Sequence, residues 1–211
     1  MNLPSKDKYG NSYLSYSQIS TFLKDKEQFL KTYILKEPFT GNEYTEFGSK
    51  VGKALETNDY SLFNETEKET LNKLTRLDLF EQRIMINYDS FYLVGYVDTC
   101  SSDLTKIIDY KTGGVGKEFQ YSNSDYTQLC YYALGIRQET GINVKSASVE
   151  FIRRKGNLKT GLKVADEDPI KIKIDLSENR LKCVYWGTIK VAKDIETYYL
   201  NYLKNGLNTN K

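Results

Sequence analysis

The sequence predicts a mixed α/β fold in which helices flank a central sheet. Apolar residues recur at helical spacing near both ends of the chain, and the period changes to two in its middle. A further predicted helix separates the middle strands from later ones, which is typical of a crossover between strands of one sheet. We expect residues 1–211 to form one domain, with a core over about 15–155 and a strand and a long helix over 165–205.

Three helices are predicted before the first long strand. Apolar residues between positions 19 and 34 recur at helical spacing, and Ser15 and Gln18 have capping-box spacing at the start of this helix. A second helix is predicted over about residues 44–57, and a third over about 65–79.

The middle of the chain is predicted to form β-strands. Residues 80–87, 91–98 and 105–111 alternate in polarity or are apolar, as strands of a half-buried or buried sheet do. A helix is predicted over about 125–140, where Gly141 ends it.

The last third of the chain has the same mixed character. Strands are predicted over 145–153 and 169–176, and a long helix over about 178–203. Only three prolines occur, so the sequence offers no proline-rich linker between domains.

Composition excludes several classes of function. No apolar run approaches the roughly 18 residues of a membrane span, and residues 1–10 lack the apolar segment of a secretion signal. The three cysteines are scattered and suggest no disulfide framework, so we expect a cytoplasmic protein and no membrane partner. Histidine is absent, which excludes a histidine zinc site, a Ser-His-Asp triad and a histidine general base. Hydrolytic chemistry here would need carboxylates, lysine and a hard metal ion.

Charge is unevenly distributed along the chain. The net charge is +2, but residues 41–149 are net acidic and residues 150–211 are net basic. The acidic middle is where we expect a metal site, and the basic ends could face a polyanion. The alternative is that these are ordinary solvated surface charges.

The chemically informative residues are Asp98, Asp109 and Lys111. Asp109 and Lys111 are two apart on a predicted strand, so their side chains leave the same face. Asp98 ends the preceding strand, and antiparallel pairing would bring it beside Asp109. Two adjacent carboxylates repel unless a cation sits between them, and Mg²⁺ is normally held by one or two carboxylates. We expect neither Asp109 nor Lys111 to be a packing residue, although an isolated D-x-K is also compatible with a surface pair.

These residues lie within a longer set of motifs that resembles the PD-(D/E)xK nuclease superfamily. The resemblance is to its RecB-like exonuclease branch, of the small phage type or CRISPR-associated type, and runs from about Ser15 to Gly141. The similar segments are Ser15–Ile19, Phe47–Gly48, Glu81, Gly95–Asp98, Ile108–Gly113 and Gln128–Tyr132.

The resemblance implies a restriction-endonuclease-like core and a DNA nuclease that depends on Mg²⁺ or Mn²⁺. It further implies an exonuclease that acts in DNA recombination, repair or phage replication, in a bacterial or phage-infected cytoplasm. DNA is the expected partner, with a helicase, a recombinase or a single-strand-binding protein as candidate protein partners. The four-cysteine iron–sulfur clamp of some family members is absent, so no cluster is expected.

Roles for individual residues also follow from the resemblance. Asp98, Asp109 and the backbone carbonyl of Tyr110 would bind the metal, and Lys111 would orient the attacking water.

Gln128 and Tyr132 are one helical turn apart and would lie at the rim of the active site, holding the lysine or the DNA backbone. The alternative for this pair is that Tyr132 belongs to the core and Gln128 faces solvent.

One departure from the family pattern concerns the second helix. Gly52 stands where the family often carries a histidine ligand. Gly48, Gly52 and Glu56 fall on one helical stripe, so Glu56 could reach the metal from one turn further along. The alternative is that Glu56 is a surface residue and water completes the metal's coordination.

Two rival interpretations remain open at this stage. One is a catalytically inactive DNA-binding or assembly module with the same fold, which the missing histidine favours. The other is an unrelated α/β protein in which the D-x-K motif is accidental.

Overall fold

The computed structural model describes residues 1–38, 41–122 and 125–208. Its strands are β1 (Tyr13–Ser15), β2 (Leu79–Tyr88), β3 (Phe91–Cys100), β4 (Lys106–Gly113), β5 (Ser146–Asn157), β6 (Gly161–Val164) and β7 (Ile170–Lys173). Its α-helices are α1 (Tyr16–Lys24), α2 (Lys26–Phe29), α3 (Glu43–Thr57), α4 (Glu65–Asn72), α5 (Phe119–Ser122), α6 (Gln128–Thr140) and α7 (Glu178–Asn208). A π-helical segment, Leu30–Ile34, continues α2.

The strands form a mixed sheet at the centre of the fold. Neighbours along its main path are β1, β3, β4, β5 and β6, while β2 pairs with β3 and β7 pairs with β5. The β1–β3 and β4–β5 pairs are parallel and the others are antiparallel. The helix α6 lies between β4 and β5 in the chain, as a parallel connection requires. The predicted mixed α/β fold with a central mixed sheet is confirmed.

The first predicted helix is shorter than its apolar pattern indicates. The prediction of one helix to residue 34 is wrong, because Asp25 adopts an extended backbone (φ −153°) that ends α1. The Asp25 carboxylate accepts the N–H of Gln28 at 2.9 Å and so caps α2. The capping box at Ser15 and Gln18 is confirmed, since each side chain accepts the other residue's backbone N–H.

Other predicted boundaries also differ from those in the structure, mainly at short helices and strands. The helix predicted over 65–79 ends at Asn72, and the strand predicted over 169–176 contains only β7. The sequence patterns did not predict β1, α5 or β6, each of four residues or fewer. Gly141 ends α6 as predicted, with a left-handed backbone (φ 76°).

The two faces of β4 are covered by different helices. Ile107 belongs to a buried cluster with Leu129 of α6, whereas Tyr110 packs against a cluster that contains Phe47 of α3. The strand therefore presents alternate side chains to α6 and α3, and it positions its polar residues between these two helices.

Two expectations from composition can be compared with the structure. All three cysteines are free, with Cys100 and Cys130 buried and Cys183 exposed. Within the described ranges, no helix combines the length and the apolar character that crossing a bilayer requires.

The close approach of α6 to β2 depends on Gly135. A Cβ at this position would overlap Ile84 Cγ2 and lie 3.2 Å from the carbonyl oxygen of Met85. Gly135→Ala should therefore destabilise the protein by about 2 kcal/mol in urea unfolding, as overpacked cores do. Gly187→Ala in α7, where a Cβ would meet nothing within 4 Å, is the matched control and should stabilise by roughly 0.5–1 kcal/mol. Equal effects of the two substitutions would contradict this packing.

Candidate active site

The site begins where β3 and β4 separate. These strands pair over a short stretch whose last pair is Thr99 with Ile108. The next residues on the two strands are Asp98 and Asp109. Asp98 Oδ2 accepts the N–H of Tyr110 at 2.7 Å, so a side chain satisfies a backbone donor at the point of divergence. The structure therefore brings Asp98 beside Asp109, as the predicted hairpin required.

Asp109 is the most enclosed charged residue of this group. It is 0% exposed, and Lys111 Nζ lies 2.8 Å from its Oδ1 and 2.7 Å from its Oδ2. The hydroxyl of Tyr126 donates a hydrogen bond to Oδ2 at 2.9 Å. The expectation that Asp109 is not a packing residue is wrong, because neighbouring side chains enclose it completely. Lys111 keeps 27% of its side chain exposed, so it connects this buried carboxylate with the surface.

The electrostatics of the site reflect crowded carboxylates. Burial raises the pKa of Asp98 to about 7, and the nearby Asp109 carboxylate adds to the rise, against the opposing effect of Lys111. Burial alone would lower the pKa of Lys111, but the carboxylates of Asp109 and Asp98 together raise it. Lys111 is therefore a cation at neutral pH, while Asp98 is poised between its two protonation states.

A third carboxylate, Glu81, faces the same region from β2. Its neighbours in β2 pair with β3 on both sides, but Glu81 itself has a left-handed backbone (φ 50°) and falls opposite Asp98 in the register. Such a backbone costs energy in a residue with a side chain, and it is often found at functional sites. Glu81 also contributes to the raised pKa of Asp98. Sequence reasoning noted Glu81 in the family resemblance but gave it no role.

The predicted rim residues form a hydrogen-bonded chain. Gln128 Nε2 donates to the hydroxyl of Tyr132 at 2.7 Å, and Gln128 Oε1 lies 3.3 Å from the hydroxyl of Tyr126. Tyr132 is buried, and its ring packs so closely on Gly95 that a Cβ there would lie 2.6 Å from Tyr132 Cε1. Tyr132 is thus a core residue, and it is also linked through Gln128 and Tyr126 to Asp109.

Tyr126 is the neighbour of Asp109 that sequence reasoning missed. It is buried, and burial together with the Asp109 carboxylate raises the pKa of its hydroxyl well above the usual range. Its ring also meets that of Tyr121 edge to face, with centroids 5.1 Å apart. The only sequence signal was a tyrosine two residues before Gln128, which does not reveal a contact with a strand.

A cleft of about 300 Å³ opens between α3 and β4 beside Lys111. It is lined by Thr45, Gly48, Ser49, Val51, Gly52, Tyr110, Lys111 and Thr112. A Cβ at Gly52 would meet nothing within 4 Å. Gly52 stands where the PD-(D/E)xK family that the motifs resemble often carries a histidine. It lines the same cleft as Lys111, and without a side chain it adds nothing that would narrow the cleft.

Glu56, the candidate replacement for that histidine, is engaged elsewhere. Its carboxylate lies 2.9 Å from Lys53 Nζ, with 35% of its side chain exposed. It nevertheless lies near enough to Glu81 to contribute, after burial, to the raised pKa of Glu81. The role of Glu56 as a metal ligand stays a prediction.

The donor set can be compared with the needs of a metal ion. Across residues 1–38, 41–122 and 125–208, no three side chains of His, Cys, Asp or Glu converge closely enough to form a metal site. Asp98 and Asp109 remain as two neighbouring carboxylates, and burial followed by the charge of Asp109 raises the pKa of Asp98. Mg²⁺ usually takes one or two protein carboxylates and completes its shell with water and phosphate oxygens. The two carboxylates are of the type that such an ion takes, but Lys111 and Tyr126 engage both oxygens of Asp109, so an ion would have to displace one of these partners.

Comparison with known proteins gives a likeness of fold. No protein-family model matches the chain, and no curated protein matches it in sequence. A crystal structure from Eubacterium rectale, of a protein named "Putative exonuclease", is similar with a TM-score of 0.58 and 13% sequence identity. The match covers 92% of this chain and 82% of that chain. The predicted mixed α/β fold, with a central mixed sheet flanked by helices, is confirmed, and this chain shares its fold with that protein.

The raised pKa of Asp98 predicts how stability depends on pH. Its folded-state pKa of about 7 lies above the ordinary aspartate pKa of 3.8, so between these pH values the folded state retains a proton that the unfolded chain loses. The stability that Asp98 contributes is full below about pH 4 and is lost as pH rises through 7. In EDTA at pH 8, Asp98→Asn should therefore be more stable than the parent by on the order of 2 kcal/mol, and the gap should shrink towards pH 4.

Thermal unfolding over pH 4–8 measures this difference. Asp89→Asn, at an exposed carboxylate in the turn between β2 and β3, is the control and should show no such trend. A difference between Asp98→Asn and the parent that does not change with pH would contradict the crowding of carboxylates at the site.

Proposed function

We propose that this chain is a metal-dependent DNA nuclease. The observation that carries the proposal is the ion pair between Lys111 and the fully buried Asp109, with Asp98 placed beside it on the neighbouring strand. A lysine that links two crowded carboxylates to an open cleft suits hydrolysis of a negatively charged ester better than it suits a packed core. The fold shared with the protein named as an exonuclease and the motif resemblance also support the proposal of a nuclease.

The metal ligands are proposed to be Asp98, Asp109 and the backbone carbonyl of Tyr110, with Glu56 as a further candidate. A bound Mg²⁺ or Mn²⁺ would lower the pKa of a water molecule and neutralise charge on the scissile phosphate. Asp98 must be ionised to bind a cation, so its pKa of about 7 predicts that metal affinity rises as pH passes through neutrality.

Lys111 is proposed to act as an electrostatic group. The carboxylates of Asp109 and Asp98 raise the pKa of its ammonium, which favours a charged group over a general base at neutral pH. Its partly exposed position at the cleft suits it to orient the attacking water and to stabilise negative charge that develops on phosphate oxygens.

The tyrosines behind the site are proposed to position Asp109. Tyr126 fixes Oδ2 through its hydroxyl, and Gln128 connects Tyr126 with Tyr132. Reactive groups work best when their neighbours restrict them to one geometry, and this buried chain supplies that restriction.

The finer assignment rests on the motif resemblance. It proposes an exonuclease of the RecB-like branch, formed by residues 1–211 as one domain, that acts in DNA recombination, repair or phage replication in the cytoplasm. A helicase, a recombinase or a single-strand-binding protein would be its protein partner.

A second candidate function is a DNA-binding or assembly module without catalytic activity. Two observations favour it: Gly52 supplies no side chain to the cleft, and Glu56 is paired with Lys53. The intact group of Asp98, Asp109 and Lys111 favours the enzyme.

Digestion of end-labelled linear DNA and of covalently closed circular DNA separates these functions. The enzyme should degrade linear DNA with Mg²⁺ or Mn²⁺ and should be inactive in EDTA, because only oxygen ligands are proposed. An exonuclease should leave the closed circle intact. Binding without degradation in either metal would favour the inactive module, and full activity in EDTA would contradict the metal mechanism.

A further inference from the structure

The hairpin formed by β5 and β6 carries a concentration of positive charge. Residues 153–164 contain five basic residues and no acidic one, namely Arg153, Arg154, Lys155, Lys159 and Lys163. Arg153 is neutralised by ion pairs with Glu118 and Glu167. Among the described residues, the other four have no ion-pair partner.

The acidic residues that follow the hairpin do not neutralise its lysines. Glu167 pairs with Arg153 at 2.8 Å, and Asp168 pairs with Lys73 of the loop after α4 at 2.7 Å. The excess positive charge therefore stays on the hairpin itself.

The register of the sheet places this charge on the same face as the candidate catalytic lysine. Lys111 pairs with Phe151 in the parallel β4–β5 ladder, and β5 continues past the end of β4. Side chains two residues apart share a face, so Lys155 projects from the face that carries Lys111. Phe151 lies opposite Lys111, and Lys155 is four residues further along β5. At about 3.3 Å per residue, Lys155 lies about 13 Å beyond Lys111 along the strand direction. Lys163 pairs directly with Lys155 and so projects from that face as well.

The Lys155–Lys163 pair is unfavourable in the isolated protein. Like charges directly opposite each other on paired strands repel, and both of these side chains are exposed. Bound anions would remove the repulsion. This pair is therefore a second feature, independent of composition, that indicates a negatively charged partner.

The opposite face of the hairpin is anchored on α3. Val164 is buried and Leu162 packs with it against the cluster that contains Phe47. The guanidinium carbon of Arg154 lies 4.0 Å from the centroid of the Tyr44 ring. Within the part of the chain that the structure describes, Lys155, Lys159 and Lys163 stay exposed.

The turn of the hairpin has a defined geometry. Asn157 Oδ1 accepts the N–H groups of Lys159 and Thr160 at 2.9 and 3.1 Å. Gly156 has a φ of +87°, and a Cβ there would overlap the carbonyl oxygen of Gly161. The lysines therefore project from an ordered scaffold and not from a loose loop.

We propose that the β5–β6 hairpin binds the backbone phosphates of the DNA whose scissile bond lies at Lys111. This inference rests on the proposed function and adds the surface that holds the substrate. A distance of about 13 Å along the axis of a duplex corresponds to about four base pairs at 3.4 Å each. Lys155, Lys159 and Lys163 contact phosphates and not bases, so the hairpin sets the position of the DNA without reading its sequence.

The test replaces Lys155, Lys159 and Lys163 together by glutamine. The matched control replaces Lys182, Lys190 and Lys193, three exposed lysines of α7, so both variants lose the same charge. A third variant with arginine at the three hairpin positions retains the charge. Binding of a fluorescent 20-base-pair duplex is measured by anisotropy in EDTA over a series of salt concentrations, after thermal unfolding has shown that each variant is folded.

The hairpin glutamine variant should bind at least about 10-fold more weakly at 100 mM salt, and its slope of log K against log salt should be shallower by about 2–3. The α7 control and the arginine variant should bind like the parent. Equal losses in the hairpin and α7 glutamine variants, or parental binding by the hairpin variant, would overturn the inference. Cleavage of the same duplex by the parent in Mg²⁺ is scored separately, so a parent that binds through the hairpin without cutting contradicts the proposed hydrolysis alone.

Discussion

The structure depends on placing one carboxylate, Asp109, in the interior of the protein. A buried charge is tolerated only where a counter-charge and hydrogen bonds replace the lost water. Lys111 supplies the charge at 2.7–2.8 Å from both oxygens, and Tyr126 supplies a hydrogen bond to Oδ2. Tyr126 precedes α6 and Lys111 lies on β4, so the positions of this helix and this strand are tied to the ion pair.

The surroundings of that ion pair are arranged at some cost to stability. Burial and then the nearby Asp109 carboxylate raise the pKa of Asp98 to about 7, and Glu81 adopts a left-handed backbone opposite Asp98. Strained backbones and perturbed carboxylates concentrate where a protein acts on a ligand. Beyond the end of β4, the hairpin carries Lys155 and Lys163 on the face of the sheet that carries Lys111.

Periodicity and strand geometry predicted the long elements and the shared face of Asp109 and Lys111, because these depend on residues close in sequence. The break at Asp25, the short strand β6 and the contact of Tyr126 with Asp109 were not predictable in this way. Asp25 ends a helix between apolar residues whose spacing is helical on either side of it, and the four residues of β6 form a strand by pairing with β5. The burial of Asp109 likewise arises from side chains distant in the chain, including Tyr126, which local patterns do not report.

The most direct test of the account is the single-turnover cleavage rate of end-labelled DNA in Mg²⁺ by Asp109→Asn and Lys111→Gln. Both substitutions retain the approximate shape of the side chain, and circular dichroism confirms that the variants are folded. The account predicts that each variant still binds DNA but cuts it at least about 100-fold more slowly than the parent. Cleavage by either variant at the parental rate would contradict the claim that this ion pair is the catalytic centre.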